Sequence, residues 1–188
     1  WTRPGSHHAE TSRAGGTCLI NNLAIGAREC LYNHRLKADR IAILDIDAHH
    51  GNGTQEIFYS EPDVLTVSIH QEPPFFPGTG ERHHTGEGEG NNRNKNIPVA
   101  SGDSWRLGVE EALTAVARFH PKIVFVQLSG DAHMLDPISD LKASTEDFSF
   151  VGSKLREMNV PIVAEIGAAT NMEALNEGVQ GFIEGYSD

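Results

Sequence analysis

The sequence predicts an α/β fold, an open and mostly parallel sheet flanked by helices. Three observations carry this. Four short runs, residues 40–45, 64–69, Ile123–Leu128 and 161–165, are apolar and β-branched without polar alternation. That is the pattern of parallel strands covered on both faces. Helical patterns stand between or beside these runs, as in layered α/β domains. Clusters of Asp and His follow two of the runs, at the C-terminal strand ends where open α/β sheets form their sites.

In chain order, residues 19–31 place Leu23, Ala27, Cys30 and Leu31 on one helical face. The strands 40–45 and 64–69 follow. Residues 71–102, rich in Gly, Pro, Glu and Asn, show little regular pattern. A loop of that length is uncommon unless it is functional or disordered. Trp105–Phe119 carries Leu113, Val116 and Phe119, with Ser104 as its N-cap. After the strand Ile123–Leu128, Ser144-Thr-Glu-Asp147 reads as a capping box that opens a helix to about Met158. The strand 161–165 and a last helix, 172–185, complete the series. No repeat or clear linker divides the chain, so residues 1–188 read as one domain.

The composition, 38% hydrophobic and 22% charged, is that of a soluble globular protein. No apolar run approaches the roughly 20 residues of a membrane span, and the first residues lack an apolar signal region. Two cysteines, Cys18 and Cys30, suit a reducing cytoplasm, the expected location. A net charge of −11, from 26 acidic and 15 basic residues, argues against direct nucleic-acid binding. It is compatible with a cationic substrate. Of the ten histidines, six fall in three HH pairs.

The stretch ILDIDAHHGNG, residues 43–53, ends a buried strand in four ionisable side chains. Burying them is costly unless they are paired or bind a metal. Asp47 and His49 lie two apart, so extended backbone turns both the same way, toward one ion. Gly51 and Gly53 would then let the chain turn away. The strand Ile123–Leu128 ends similarly, in Ser-Gly-Asp131, at the same rim. Two carboxylates and one imidazole leave zinc an open position, as catalytic sites do. Fe(II) also suits an all oxygen and nitrogen set. Asp and His after strands also serve as caps and turns, but the two halves together with HHGNG point to a site. His7-His8 could be a solvated loop; near a metal, one could accept a proton from water and one could protonate a leaving amine. Asp45 could orient one of them and Asn52 the other.

The blocks RPGSHHAE, GGTCLINNLAIGA, ILDIDAHHGNGTQEIFY, VSIH…FFPGTG and GDAHMLDPIS follow in an order that resembles the histone deacetylase and acetylpolyamine amidohydrolase family. The resemblance covers essentially the whole chain and is most specific at HHGNGTQ. The GDAHMLDPIS block and the helix start after it are most similar to the acetylpolyamine and bacterial class II-like branch. The resemblance implies the arginase/deacetylase-like fold and the hydrolysis of an N-acetyl amine, either acetylpolyamine or acetyl-lysine. It implies zinc on Asp47, His49 and Asp131, and His7 and His8 as the acid–base pair with Asp45 and Asn52 behind them. It implies a structural potassium ion around Asp45, Asp47, His49, Ser68 and Ile69, partly on backbone carbonyls. It also puts Phe76 on one wall of the substrate tunnel, with Gly16 and Thr17 on the other.

The chain departs from the family pattern at four places. RPGSHHA stands for RPPGHHA. Thr17 replaces a tunnel aromatic. Thr170 occupies the place of a catalytic tyrosine whose hydroxyl helps stabilise the oxyanion, with Ala168 and Ala169 near the usual glycines. The chain is also short, which implies a partial domain lacking the family's N-terminal part, with an exposed sheet edge that association, including a homo-oligomer, would cover. A second reading follows: a catalytically impaired relative that binds metal or acetylated ligand without efficient turnover. The arginase-like relatives need a two-manganese cluster with more aspartates, which the single Asp47, His49, Asp131 set fits poorly. Of the remaining residues, His83-His84 reads as solvated loop, and GEGEG lacks the helix and Lys-Ser/Thr of a phosphate cradle. His133 is a weaker ligand candidate, Asp136-Pro137 a turn, and Cys18 a small buried residue.

Overall fold

A computed structural model describes residues 5–33, 38–100 and 104–187. The Arg3-Pro4 part of the first motif and the end of the 71–102 segment lie outside these residues. The order is α1 (Asn22–Tyr32), β1 (Ile41–Asp45), α2 (Asn52–Phe58), β2 (Val64–Gln71), β3 (Asn94–Val99), α3 (Trp105–Phe119), β4 (Ile123–Leu128), α4 (Thr145–Glu157), β5 (Ile162–Ile166) and α5 (Met172–Ser187). All strand pairs are parallel, in the order β3-β2-β1-β4-β5. The sheet and its flanking helices match the fold class that the four apolar runs predict.

The near-continuous apolarity of β1 has a direct cause: successive side chains go to opposite faces, and both faces are covered. Ala42 and Leu44 join Val67, Val124 and Val126 under Trp105, Val109, Phe148 and Phe182 of α3, α4 and α5. Ile41 and Ile43 pack with Phe125 against Leu23, Ala27 and Phe58 of α1 and α2. β1 is therefore buried along its whole length and its last residue, Asp45, is delivered to the rim in a fixed register with Ser68 and Gln127. β5 forms one edge and is only partly covered, with Val163 44% exposed. On the α1 side, the exposed Leu19, Ile20, Ile25 and Tyr32 line a groove of about 740 Å³. No helix among the described residues is long and apolar enough to cross a membrane.

The capping box is present: Ser144 Oγ accepts the Asp147 N–H and Asp147 accepts the Ser144 N–H, with Met158 as C-cap. Ser104 occupies the N-cap of α3, but its side chain makes no capping hydrogen bond. Two elements escape the sequence patterns. β3, NKNIPV, lies in the segment read as irregular. It is an edge strand, where Pro98 is tolerated. Its buried side chains Asn94 and Asn96 both donate to Gln55 Oε1, each at 2.8 Å. α2 begins in the glycine-rich turn, and its first N–H groups take up the His7 carbonyl, Gly53 at 2.9 Å and Thr54 at 3.1 Å. Those donors have no partner inside the helix. The glycines serve close approach rather than turning: a β-carbon at Gly51 would overlap the Asp45 carboxylate, and one at Gly53 the Ala9 carbonyl.

Candidate active site

At the rim, the loops after β1 and β4 meet the segment that α2 holds by the His7 carbonyl. Asp45 Oδ2 pairs with His7 Nδ1 at 2.7 Å, and its Oδ1 accepts the Asp47 N–H at 3.1 Å. Asp47 Oδ1 accepts the His49 N–H at 2.8 Å. His49 Nδ1 is 2.9 Å from both Asp47 Oδ1 and Asp131 Oδ2. The other Asp131 oxygen accepts the Ala48 N–H at 2.9 Å, which ties the β4 loop to the β1 loop. One ligand atom from each of Asp47, His49 and Asp131 lies within 4.8 Å of the others. Asp47 and Asp131 are buried and His49 is partly so.

His8 stands beside His7, ring centroids 4.0 Å apart, with Nδ1 2.8 Å from Asn52 Oδ1. The amide oxygen only accepts, so His8 Nδ1 carries the proton and Nε2 holds the lone pair. Asn52 is itself held by Glu10, which accepts from Nδ2 at 2.8 Å. Burial lowers His8, and the neighbouring His7 lowers it further, to about 4. For His7, burial also favours the neutral ring, but Asp45 and Asp47 outweigh it and raise the value to about 9. Burial pushes Asp131 up to about 8, with the charge of Asp47 adding to it. Burial opposes ionisation of Asp47 too, yet His7 and His49 hold it well below the usual carboxylate range. Two buried carboxylates that repel each other around one imidazole match the donor chemistry of a divalent cation.

His7, His8, Asp47, His49 and Asp131 share a cavity of about 220 Å³ that is also lined by Gly16, Thr17, Cys18, Phe76, Ile138 and Ala168. Phe76 is 51% exposed at its mouth, with its ring 5.1 Å from His8 and 6.1 Å from His49. Gly16 has φ +53°, and a β-carbon there would overlap the His8 ring. Thr170 does not line the cavity: it is exposed, and its backbone N–H donates to Asp136 Oδ2 at 2.6 Å. The buried Asp136 does form a turn, accepting the Ile138 N–H at 3.0 Å. The same side chain also fastens the β5 loop. His133 is buried with Nε2 3.2 Å from Thr145 and accepts the Leu135 N–H, away from the three ligand atoms. Cys18 is buried at the cavity wall, and burial raises its thiol to about 11. His83 and His84 lie side by side in the loop before β3, rings 4.3 Å apart and tilted by 55°, with His83 exposed. Ser68 ends beside Asp45 in register, and Ile69 is fully buried.

The sequence patterns miss two neighbours. Phe75 stacks on His49 at 4.6 Å; alternation would send adjacent side chains apart, but 75–76 lie in turns, so both reach the histidine. Ser129 donates its hydroxyl to Asp47 Oδ2. No local pattern marks it: Gly130 and Asp131 lie in a bend and a turn, so the two-residue spacing of extended backbone does not apply.

Comparison with known proteins gives the family. The histone deacetylase domain matches residues 1–185. The chain belongs to the histone deacetylase family. Acetylpolyamine amidohydrolase 1 of Pseudomonas aeruginosa is 35% identical, over 98% of this chain and 54% of its own length. A probable deacetylase of Methanothermobacter thermautotrophicus is 40% identical, over 97% of this chain and 56% of its own. The crystal structure of an acetylpolyamine aminohydrolase from Burkholderia pseudomallei superposes with a TM-score of 0.90 at 37% identity, covering 98% of this chain and 54% of that one. The chain thus spans about half the length of the curated family members it matches.

Proposed function

We propose that this chain carries the catalytic centre of a metal-dependent amidohydrolase that removes acetyl groups from acetylated amines, an acetylpolyamine or acetyl-lysine. One observation carries the reading: a histidine held by Asn52 through Nδ1, with Nε2 left open, and a histidine paired to a buried carboxylate share one cavity with three atoms that could hold a metal. Asp47, His49 and Asp131 would hold the ion. Zinc is the reading the donor set favours, with Fe(II) next. The ion supplies Lewis acidity toward the acyl carbonyl and a more acidic water.

The rest falls to side chains. His8 Nε2 accepts the proton of the attacking water, because Asn52 keeps the other nitrogen protonated. His8 then carries that proton to the leaving nitrogen. His7, held cationic by Asp45, supplies positive charge where the carbonyl oxygen becomes negative. Phe76 and Phe75 would flank the entering chain, with Gly16 and Thr17 opposite Phe76. A potassium ion would sit against Asp45, Ser68 and the carbonyls of Asp47, His49 and Ile69. Support comes from His70: its Nε2–H donates to the Gly80 carbonyl at 3.0 Å, so its Nδ1 takes the Ser68 proton at 2.9 Å. Ser68 is left as an acceptor.

The impaired-relative reading rests on the β5 side of the cavity, where Ala168 offers no hydroxyl and Thr170 is absent. Metal content and turnover of acetyl-lysine and acetylputrescine, measured on one sample, separate the two. We expect turnover, with His8→Ala lowering kcat by about 10²–10⁴. Bound metal with no turnover would establish the impaired reading instead.

A further inference from the structure

We infer that Ser129 is a positioning residue of the metal site, fixing Asp47 so that a single carboxylate oxygen faces His49 and Asp131. The inference rests on the metal reading above.

Ser129 follows directly on β4 and is fully buried. Gln127 Nε2 stands 3.4 Å from its oxygen. An amide nitrogen only donates, so the serine oxygen accepts there and its proton goes to Asp47 Oδ2. The chain of bonds therefore runs one way, from Gln127 through Ser129 to Asp47. The two oxygens of Asp47 become unequal. Oδ1 faces the His49 ring nitrogen at 2.9 Å. Oδ2 is taken by the serine, with His7 Nε2 beyond it at 3.7 Å. A hydrogen bond to one oxygen restrains the rotation of the carboxylate and favours coordination through the other. Hydrogen bonds to ligating groups commonly set metal affinity in this way.

The surroundings leave room for this hydroxyl specifically. A β-carbon at Gly167, the first residue after β5, would overlap both Ser129 Oγ and Gln127 Nε2. The contact to Gln127 is long, and Gln127 Oε1 has no hydrogen-bond partner among the described residues. The serine is thus aimed at Asp47 rather than built to satisfy the glutamine.

The test uses the whole chain, stripped of metal, titrated with zinc against a chromophoric chelator. The melting midpoint of the metal-free protein is read on the same samples. Ser129→Ala is expected to weaken zinc binding about 10–100-fold with the midpoint unchanged. Gly167→Ala keeps the serine but displaces its hydroxyl, and should weaken zinc in the same direction. Both variants binding zinc as tightly as the parent overturns the inference while leaving the metal site standing. A parent that binds no zinc overturns both. If Ser129→Ala also lowers the midpoint, Gly167→Ala decides: weaker zinc supports the role and unchanged zinc refutes it.

Discussion

The loops after β1 and β5 leave the same rim of one parallel sheet, and they are built in opposite ways. After β1, the side chains do the bonding: Asp45 to His7, Asp47 and Asp131 to His49. After β5, the backbone does most of it, with the Asn171 side chain adding a bond to the Leu135 carbonyl. The N–H groups of Thr170 and Asn171 donate to Asp136 Oδ2 at 2.6 and 2.8 Å, and the Gly167 N–H donates to the Leu128 carbonyl at 2.7 Å. That loop gives the cavity only the methyl of Ala168. The difference teaches where chemistry can reside. The ionisable groups that could hold a metal or move a proton sit at the end of β1, in the loops after β1 and β4, and in the His7-His8 segment. The β5 loop supplies shape.

The largest expected effect tests the first half of that division. Asp131→Ala removes one ligand oxygen and also the bond to Ala48 that ties the two loops. Loss of metal should exceed the 10–100-fold typical of an outer hydrogen bond. Metal content after dialysis is the measurement, and a variant that keeps a full complement of zinc would remove Asp131 from the ligand set.

A second effect is expected in stability, behind the same β1 loop. His50 lies between Thr79 Oγ1 and Gln55 Oε1, at 2.8 and 3.1 Å. Burial lowers it to about 3, with His70 contributing, and burial lowers His70 to about 4. Both are neutral in the folded chain, whereas unfolded histidine protonates near pH 6.5. At these two groups the unfolded state therefore binds more protons below that pH, and their contribution to stability rises with pH. It is complete above about 6.5 and is lost as pH falls toward about 4, by about 3 kcal/mol for His70. Urea unfolding at several pH values should show this slope, and His70→Gln should flatten it. An equal slope in the variant would mean the histidine is not the sensor. The β5 loop, Gly167–Asn171 in GAATN, contains no histidine and should contribute nothing to it.

How much of this could be read from the sequence follows from what each element buries. β1, β2, β4 and β5 are apolar, and their runs predict them to within a residue or two. β3 is hidden because Asn94 and Asn96 are buried polar groups whose partners, Gln55 and the carbonyls of His84 and Glu81, are remote in sequence. α2 is hidden because its glycines answer to the Asp45 carboxylate and the Ala9 carbonyl, contacts that no local pattern contains. The trio that could hold a metal was legible, Asp47 and His49 from their two-residue spacing and Asp131 from its place at the next strand end on the same rim. The contribution of Ser129 was not, because a serine there looks like any strand-end residue until Asp47 is seen opposite it.

The smallest expected effect is the sharpest test of the contrast between the loops. The resemblance puts Thr170 where a hydroxyl would help hold the oxyanion, and losing such a donor typically costs about 10²–10³ in turnover. The structure gives Thr170 a different task. Its side chain is exposed and lines no part of the cavity, and its one bond across the loop comes from the backbone N–H, which alanine also has. Thr170→Ala should therefore leave kcat and KM for an acetylated amine where they were, and stability within about 0.5 kcal/mol, as for other exposed positions. A fall of 10²-fold or more in kcat would show that the β5 loop turns its hydroxyl inward during the reaction, and the division between a chemical loop and a shaping loop would have to be redrawn.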